Sequence, residues 1–108
     1  MESEQLMSML NEWTPRKRVV CADGYSLSVQ AHPGAYGLPR VGRAKAYTHV
    51  EVGFIEDSQH NTARTPRGWS EYKDGSVYGY VPAAKVQSFI EKHGGMVDGE
   101  LPPLELQR

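Results

Sequence analysis

The chain has a single cysteine, Cys21, and no apolar run approaching the roughly 20 residues that a membrane-spanning helix requires. A lone cysteine excludes a disulfide within the chain. The N-terminal residues Met1 to Glu4 include acids, where a secretory signal would carry basic residues followed by an apolar run. These absences predict a cytoplasmic protein with no membrane partner.

An excess of either charge is also absent, since 12 Lys and Arg residues stand against 13 Asp and Glu residues. A balanced chain has no overall electrostatic attraction that would make nucleic acid an obligate partner. The glycines fit neither the dinucleotide-binding nor the Walker phosphate-binding pattern, and the cysteine and histidines lack the short paired spacings of zinc sites. We therefore predict no cofactor and no metal ion.

The length of 108 residues is typical of one domain built around one core, and no internal repeat divides the chain. We predict that residues 1–95 form this single domain. Residues 96–108 contain Pro102-Pro103 and have no regular period, which predicts an irregular C-terminal tail along the surface.

Two Asp-Gly dipeptides are each flanked by alternating apolar and polar residues, the pattern of two-residue β-hairpins. About Asp23-Gly24 the pairing places Val20 opposite Leu27 and leaves Cys21 on the opposite, small and polar face. About Asp74-Gly75 it pairs residues 69–72 with residues 77–80. The second pairing predicts an outward aromatic face, whose members are Trp69, Tyr78 and Tyr80.

A further strand is predicted from Tyr47 to Phe54, where alternation places Val50, Val52 and Phe54 on one face. Helical spacing predicts an N-terminal helix over residues 2–13 and a second helix between Pro82 and the glycines at 94 and 95. The order predicts an α+β fold: a mainly antiparallel sheet of about five strands, built from the two hairpins and the single strand, with both helices on one face. The apolar stripe of the C-terminal helix is Ala83, Val86, Phe89 and Ile90.

Positive charge is concentrated in residues 14–67, which hold 8 basic and 4 acidic residues. Within them, residues 32–46 are rich in proline, glycine and basic side chains, and predict a loop that suits a phosphate or an acidic protein surface. Aromatic residues beside such a loop anchor protein interfaces or stack on bases. In the alternative interpretation the loop is only solvated, and the aromatics stabilise the sheet or lie under the N-terminal helix. The predicted binding residues are Arg40, Arg43, Lys45, Tyr47, Trp69, Tyr78 and Tyr80.

Nucleophilic catalysis is an alternative that would rest on Cys21, with His49 as its base and Glu51 as the group orienting that base. Nothing in the spacing demands this arrangement. A free cysteine between Val20 and Ala22 on a strand is also what a small buried apolar residue looks like, and we favour that interpretation. We therefore predict no catalytic residue.

Five segments carry a resemblance to a known family. They are Val20 to Ala31, Tyr36 to Arg40, Tyr47 to Phe54, Val77 to Pro82, and His93-Gly94-Gly95. In these segments, which lie within residues 19–95, the chain resembles a family of small, uncharacterised proteins encoded by phages and prophages. The resemblance implies an accessory protein in a bacterial host cell, one that binds a host or phage macromolecule, such as an inhibitor of host defence of the anti-CRISPR kind. It carries over no functional residues.

The favoured function is therefore non-enzymatic binding of a host or phage protein. The alternatives are a nucleic-acid-binding protein that uses the basic loop and the aromatic face, and a thiol-dependent enzyme that uses Cys21. An exposed edge strand would also support a homodimer.

Overall fold

The computed structural model describes residues 15–42 and 44–105, so the predicted helix over residues 2–13 lies outside the described residues. The described residues form an antiparallel sheet of six strands in the order β4-β5-β3-β2-β1-β6. The strands are β1 (Val19–Cys21), β2 (Ser26–Gln30), β3 (His49–Glu56), β4 (Lys73–Asp74), β5 (Val77–Pro82) and β6 (Met96–Asp98), and one α-helix, α1 (Ala83–Lys92), follows β5. The predicted α+β class with a mainly antiparallel sheet is confirmed, and the predicted strand number of about five is too small.

The first hairpin has a loop of three residues rather than two. Val19 pairs with Leu27 and Val20 with Ser26, and the Cys21 N–H donates to the Tyr25 carbonyl oxygen over 2.8 Å. Gly24 takes a φ of 95°, the left-handed conformation that closes a hairpin loop of this length. The pairing therefore differs by one residue from the predicted register, in which Val20 faces Leu27.

This one-residue difference exchanges the two faces of β1. Val19 and Cys21 lie in the core, with 0% and 1% of their surface exposed, together with Leu27 and Val29 of β2. The prediction that Cys21 points away from the main apolar set is wrong. The physical reason is that side chains alternate along a strand, so an added loop residue moves every side chain to the other face.

The second hairpin also turns one step later than predicted. Asp74 pairs with Val77, so the loop is Gly75-Ser76, with Gly75 at a φ of 64°. The segment before it is not a strand, because Ser70–Tyr72 forms a 3₁₀ helix whose Tyr72 N–H donates to the Trp69 carbonyl. The predicted strand over residues 69–72 is therefore wrong, and with it the outward direction of Trp69.

The central strand β3 contains a β-bulge, because Ser26 pairs with Glu56 while Ser28 pairs with Gly53, which leaves an extra residue on β3. Phe54 takes a φ of 51° at this point. Its ring is 60% exposed, whereas Ile55 is buried. Val50 and Val52 share a buried face as predicted, but the prediction that Phe54 joins them is wrong, since the bulge turns its side chain to solvent.

A bulky side chain in the left-handed region strains the backbone, and Phe54 has such a conformation. The strain can be tested by comparing the stabilities of two variants at this position. Replacing Phe54 by Gly or by Ala removes the same exposed ring, but only Gly adopts the required backbone freely. We expect Phe54→Gly to be more stable than Phe54→Ala by about 1 kcal/mol in urea unfolding. Equal stability of the two variants would contradict a strained bulge.

The predicted irregular tail contains a strand. β6 pairs with β1, with Val20 opposite Asp98, and Leu104 forms a parallel bridge with Tyr47. Pro102 is fully buried, and Leu101 and Leu104 pack against the core. The segment after residue 95 therefore completes the sheet edge and covers Tyr47.

α1 begins and ends where its sequence signals predict. Pro82 is its N-cap and His93 its C-cap, and the buried residues are the predicted stripe, Ala83, Val86, Phe89 and Ile90. Gly94 and Gly95 follow with φ of 93° and 92°, and the Gly95 N–H donates to the Ile90 carbonyl over 2.9 Å. The chain can then turn sharply into β6.

The C-terminal end of α1 also holds the first hairpin loop. The Ala22 N–H donates to the Gly95 carbonyl and the Asp23 N–H to the His93 carbonyl, while the His93 Nδ1 lies 2.6 Å from Asp23 Oδ2. Desolvation acts to raise the pKa of Asp23, but hydrogen bonds from the Tyr25 N–H and His93, with the charge of His93, outweigh it and lower the pKa. The loop therefore docks on the helix end through backbone and side chain together.

Candidate functional site

The structure separates the predicted binding residues into a buried and an exposed set. Tyr47, Trp69 and Tyr78 are 0%, 3% and 6% exposed, so the predicted outward face is wrong for Trp69 and Tyr78. Trp69 packs on Tyr78 with ring centroids 5.6 Å apart. Arg40, Lys45 and Tyr80 are exposed, and Arg43 lies outside the described residues.

Burial of these three rings follows from contacts outside the hairpin itself. The Tyr47 hydroxyl donates to the Val41 carbonyl, and the Tyr78 hydroxyl to Thr65 Oγ1. Trp69 lies against Phe89 of α1, with ring centroids 5.7 Å apart. These rings stabilise the domain, as the alternative interpretation of the aromatic residues states.

A second bulge, in β5, exposes Tyr80. Val50 pairs with Val81 but Val52 pairs with Tyr78, which leaves an extra residue on β5 opposite Glu51. Tyr80 takes a φ of 53° there and is 40% exposed, while Val81 is fully buried. The bulge frees the Tyr80 N–H from the ladder, and this N–H donates to the Tyr36 carbonyl over 2.8 Å.

The predicted loop over residues 32–46 is fastened to the sheet at this point. Leu38 bridges His49 at the start of β3, through the Leu38 N–H donating to the His49 carbonyl over 2.9 Å. The Tyr36 N–H donates to the Glu51 carboxylate over 3.2 Å, and the Tyr36 ring lies over Gly79. Tyr36 and Leu38 thereby line up beside Tyr80.

Gly37 allows this close approach of loop and sheet. A Cβ at this position would lie 2.6 Å from the His49 carbonyl oxygen and 3.1 Å from the Val50 Cα. Because both neighbours are backbone atoms of β3, neither can move aside without breaking the strand.

We expect Gly37→Ala to lower the free energy of unfolding by about 2 kcal/mol or more, since overpacking against a rigid strand is costly. Hydrogen exchange at the Leu38 amide should accelerate in the same variant. The control is Gly34→Ala in the same loop, whose Cβ would meet only the His32 ring, at 3.3 Å. If both variants behave alike, Gly37 does not fix the loop.

Tyr36, Leu38 and Tyr80 line an open groove of about 660 Å³, which we term the Tyr36–Tyr80 groove. The rings of Tyr36 and Tyr80 are 6.1 Å apart, and the Arg40 guanidinium lies 6.0 Å from the Tyr36 ring, at the distance of a cation–π contact. The remaining lining residues are His49, Glu71, Tyr72, Lys73, Asp74 and Gly79. The groove therefore combines aromatic, aliphatic and charged side chains of both signs.

The side of the groove formed by β4 and the 3₁₀ helix is polar. Desolvation raises the pKa of Tyr72, and the neighbouring Glu71 carboxylate raises it further. Exposed Lys73 and Asp74 lie next to it at the sheet edge. This side offers donors and acceptors for a polar partner surface.

Sequence reasoning identified Arg40 and Tyr80 at this site but missed Tyr36, Leu38 and Tyr72. A signal was present for the first two, because Tyr36 and Leu38 are large apolar residues within a loop rich in proline and glycine. No signal in the sequence indicates the bulge that brings them to Tyr80.

The geometry does not support thiol catalysis by Cys21. β2 lies between β1 and β3 in the sheet, so Cys21 and His49 are not on neighbouring strands. The His49 Nδ1 is instead 2.9 Å from the Thr48 hydroxyl. Burial raises the pKa of the Cys21 thiol, and the Asp23 charge raises it further. Both effects disfavour the thiolate that a nucleophile requires.

We expect the Cys21 thiol to resist a disulfide-exchange reagent in the folded protein at neutral pH and to react fully in denaturant. Its folded-state pKa is raised, so the thiolate fraction stays small until the pH exceeds the usual value of about 8.5. Absorbance of the released thiol measures both states. Rapid labelling of folded protein would restore the enzyme alternative.

The described part of the chain has neither a metal-binding cluster nor a membrane-spanning helix. Over residues 15–42 and 44–105, no group of three or more His, Cys, Asp and Glu side chains is placed to hold a metal ion. No helix within the same residues has the length and apolarity needed to cross a bilayer. Comparison of the chain with protein-family models, with curated proteins and with solved structures gives no match.

Proposed function

We propose that the chain is a non-enzymatic binding protein that engages another protein through the Tyr36–Tyr80 groove. The observation that carries this proposal is the exposure of Tyr36, Leu38 and Tyr80, which are 41%, 44% and 40% exposed around one groove. Clustered apolar side chains at the surface of a soluble domain mark interaction sites. Tyrosine and arginine are also enriched among the residues that dominate binding energy.

Rigidity of the groove supports this proposal. The Tyr36 carbonyl is hydrogen-bonded to the Tyr80 N–H, and Leu38 is hydrogen-bonded to β3. Side chains presented by a backbone fixed in this way lose less conformational freedom when a partner binds, so more of the contact energy appears as affinity.

The charges indicate the chemistry of the partner surface. Arg40 lies at the Tyr36 ring, and Glu71 and Asp74 line the opposite side of the groove, so the fitting partner presents an apolar side chain with a carboxylate toward Arg40. The resemblance to phage and prophage proteins supports a partner in the bacterial host cell or the phage, such as a component of host defence.

The nucleic-acid alternative is less well supported at this groove. Three of the rings predicted to stack on bases, those of Tyr47, Trp69 and Tyr78, are buried. The groove also carries the carboxylates of Glu71 and Asp74, which repel phosphates. A protein surface accommodates this mixture of charges better than a phosphate backbone does.

We expect Leu38→Asp to weaken partner binding by roughly thirtyfold in Kd, about 2 kcal/mol, because it places a charge at the apolar centre of the groove. The matched control is Val97→Asp in β6, at the opposite edge of the sheet, where an apolar side chain is 65% exposed. Immobilised wild type and both variants are compared in affinity capture from a nuclease-treated bacterial lysate, with the captured protein then titrated in purified form.

The proposal requires one protein that wild type and Val97→Asp retain and Leu38→Asp loses. Arg40→Glu should also weaken its binding and reduce the salt dependence. Equal capture by all variants, or capture from an untreated lysate that is lost in the nuclease-treated one, would overturn it.

A further inference from the structure

A second concavity, about 490 Å³ in volume, lies between residues 62–67 and the C-terminal half of α1. It shares no lining residue with the Tyr36–Tyr80 groove, and the proposed protein binding does not use it. We term it the basic cleft, since Arg64, Arg67 and Lys92 line it together with His93.

Within residues 15–42 and 44–105, the cations of the basic cleft have no carboxylate partner. None of Arg64, Arg67 and Lys92 lies within 4.0 Å of a carboxylate oxygen among the described residues. The one acid that lines the cleft, Asp57, already accepts the N–H groups of Gln59 and Asn61 through its Oδ1. Three cations therefore stand against one acid in this cleft, and such an excess of one sign of charge attracts a ligand of the opposite sign.

The imidazole of His93 is held in place at the border of the cleft. It stacks on the Tyr25 ring at 4.1 Å and lies 4.4 Å from the Phe89 ring. Its Nδ1 is hydrogen-bonded to Asp23, so Nε2 is the nitrogen left for a ligand, and it donates when the ring is protonated. The His93 side chain is 15% exposed. The imidazole is therefore held in one orientation, unlike that of a solvated surface histidine.

An apolar floor adjoins the cationic side chains. A smaller concavity of about 260 Å³ shares Pro66, Arg67, Phe89 and Lys92 with the basic cleft and continues to Trp69. An anion bound at the shared cations Arg67 and Lys92 would therefore have Pro66 and the 9% of Phe89 that is exposed beside it. Ligand sites commonly combine a few polar anchors with such a floor.

We propose that the basic cleft binds the phosphate group of a nucleotide, with the base against Pro66 and the small exposed part of Phe89. Arg64, Arg67 and Lys92 supply charge-assisted hydrogen bonds to the phosphate oxygens. His93 adds a donor when it is protonated. The nucleotide is either free or the end of a single strand, since both present the same phosphate and base.

The test is a titration of the intact chain with adenosine 5′-monophosphate. Binding is monitored through the NMR chemical shifts of the backbone amides around the cleft. We expect saturable binding that Arg67→Glu weakens by about tenfold or more, because a charge-assisted contact is replaced by repulsion. Lys92→Glu should have a similar effect. The control is Lys17→Glu, whose side chain is 72% exposed beside β1. It should leave the affinity within about twofold.

Three further probes distinguish a free nucleotide from the end of a single strand and test whether binding requires the phosphate. A short 5′-phosphorylated single strand that binds more tightly than the mononucleotide supports a strand end, and weaker or equal binding supports a free nucleotide. Adenosine without phosphate should bind at least about tenfold more weakly than the monophosphate. Inorganic phosphate should displace the monophosphate. The absence of a saturable shift up to about 10 mM monophosphate, equal binding of adenosine, or an equal loss in Lys17→Glu would overturn the proposal.

Discussion

The strand β3 is the constraint on which the fold and the groove depend, because it pairs with β2 on one side and β5 on the other, and each pairing contains a bulge. The added residues let Ile55 and Val81 return to the core while Phe54 and Tyr80 turn outward. Both exposed aromatics hold left-handed backbone conformations, which residues other than glycine adopt only at a cost in free energy. Bulges commonly re-aim side chains next to functional sites. The exposure of Tyr80 is therefore set by ladder geometry rather than by the polarity of the ring.

A second set of contacts, made by hydrogen bonds, joins the first hairpin to the C-terminal end of α1. Every helix leaves carbonyl groups without partners at its C-terminal end. Here the Asp23 N–H, in the loop after β1, donates to the carbonyl of the C-cap residue His93, and the Ala22 N–H donates to the Gly95 carbonyl just beyond the helix. The Asp23 carboxylate also orients the His93 ring. The same contacts thus close the fold between distant segments of the chain and fix a histidine at the border of the basic cleft.

The basic residues illustrate why charge counts in sequence misjudge surfaces. Arg16 donates to the Ala31 carbonyl, and Arg18 donates to Ser26 and to the Phe54 carbonyl, so both arginines stabilise the sheet. Arg40 lies at the groove, whereas Arg67 lines the cleft beside α1. The predicted concentration of positive charge therefore divides into structural contacts and two separate surfaces. Only tertiary folding assigns each cation its role, because a long side chain can reach any backbone oxygen that the fold brings near.

The sequence alone predicts the α+β class, the two chain reversals near the Asp-Gly dipeptides, and the bounds and buried face of α1. Each of these features depends on a local pattern of apolar spacing, proline and glycine. The sequence does not predict the register of either hairpin, the two bulges or the pairing of β6 with β1. The alternation of apolar and polar residues indicates which side chains share a face of a strand, but it does not indicate where an extra residue enters the strand pairing. One such residue moves all later side chains to the other face. Tertiary structure alone decided that Trp69 and Tyr78 are buried while Tyr36 and Tyr80 meet at the surface, because strand pairing and helix packing between distant segments determine which face packs against a neighbour.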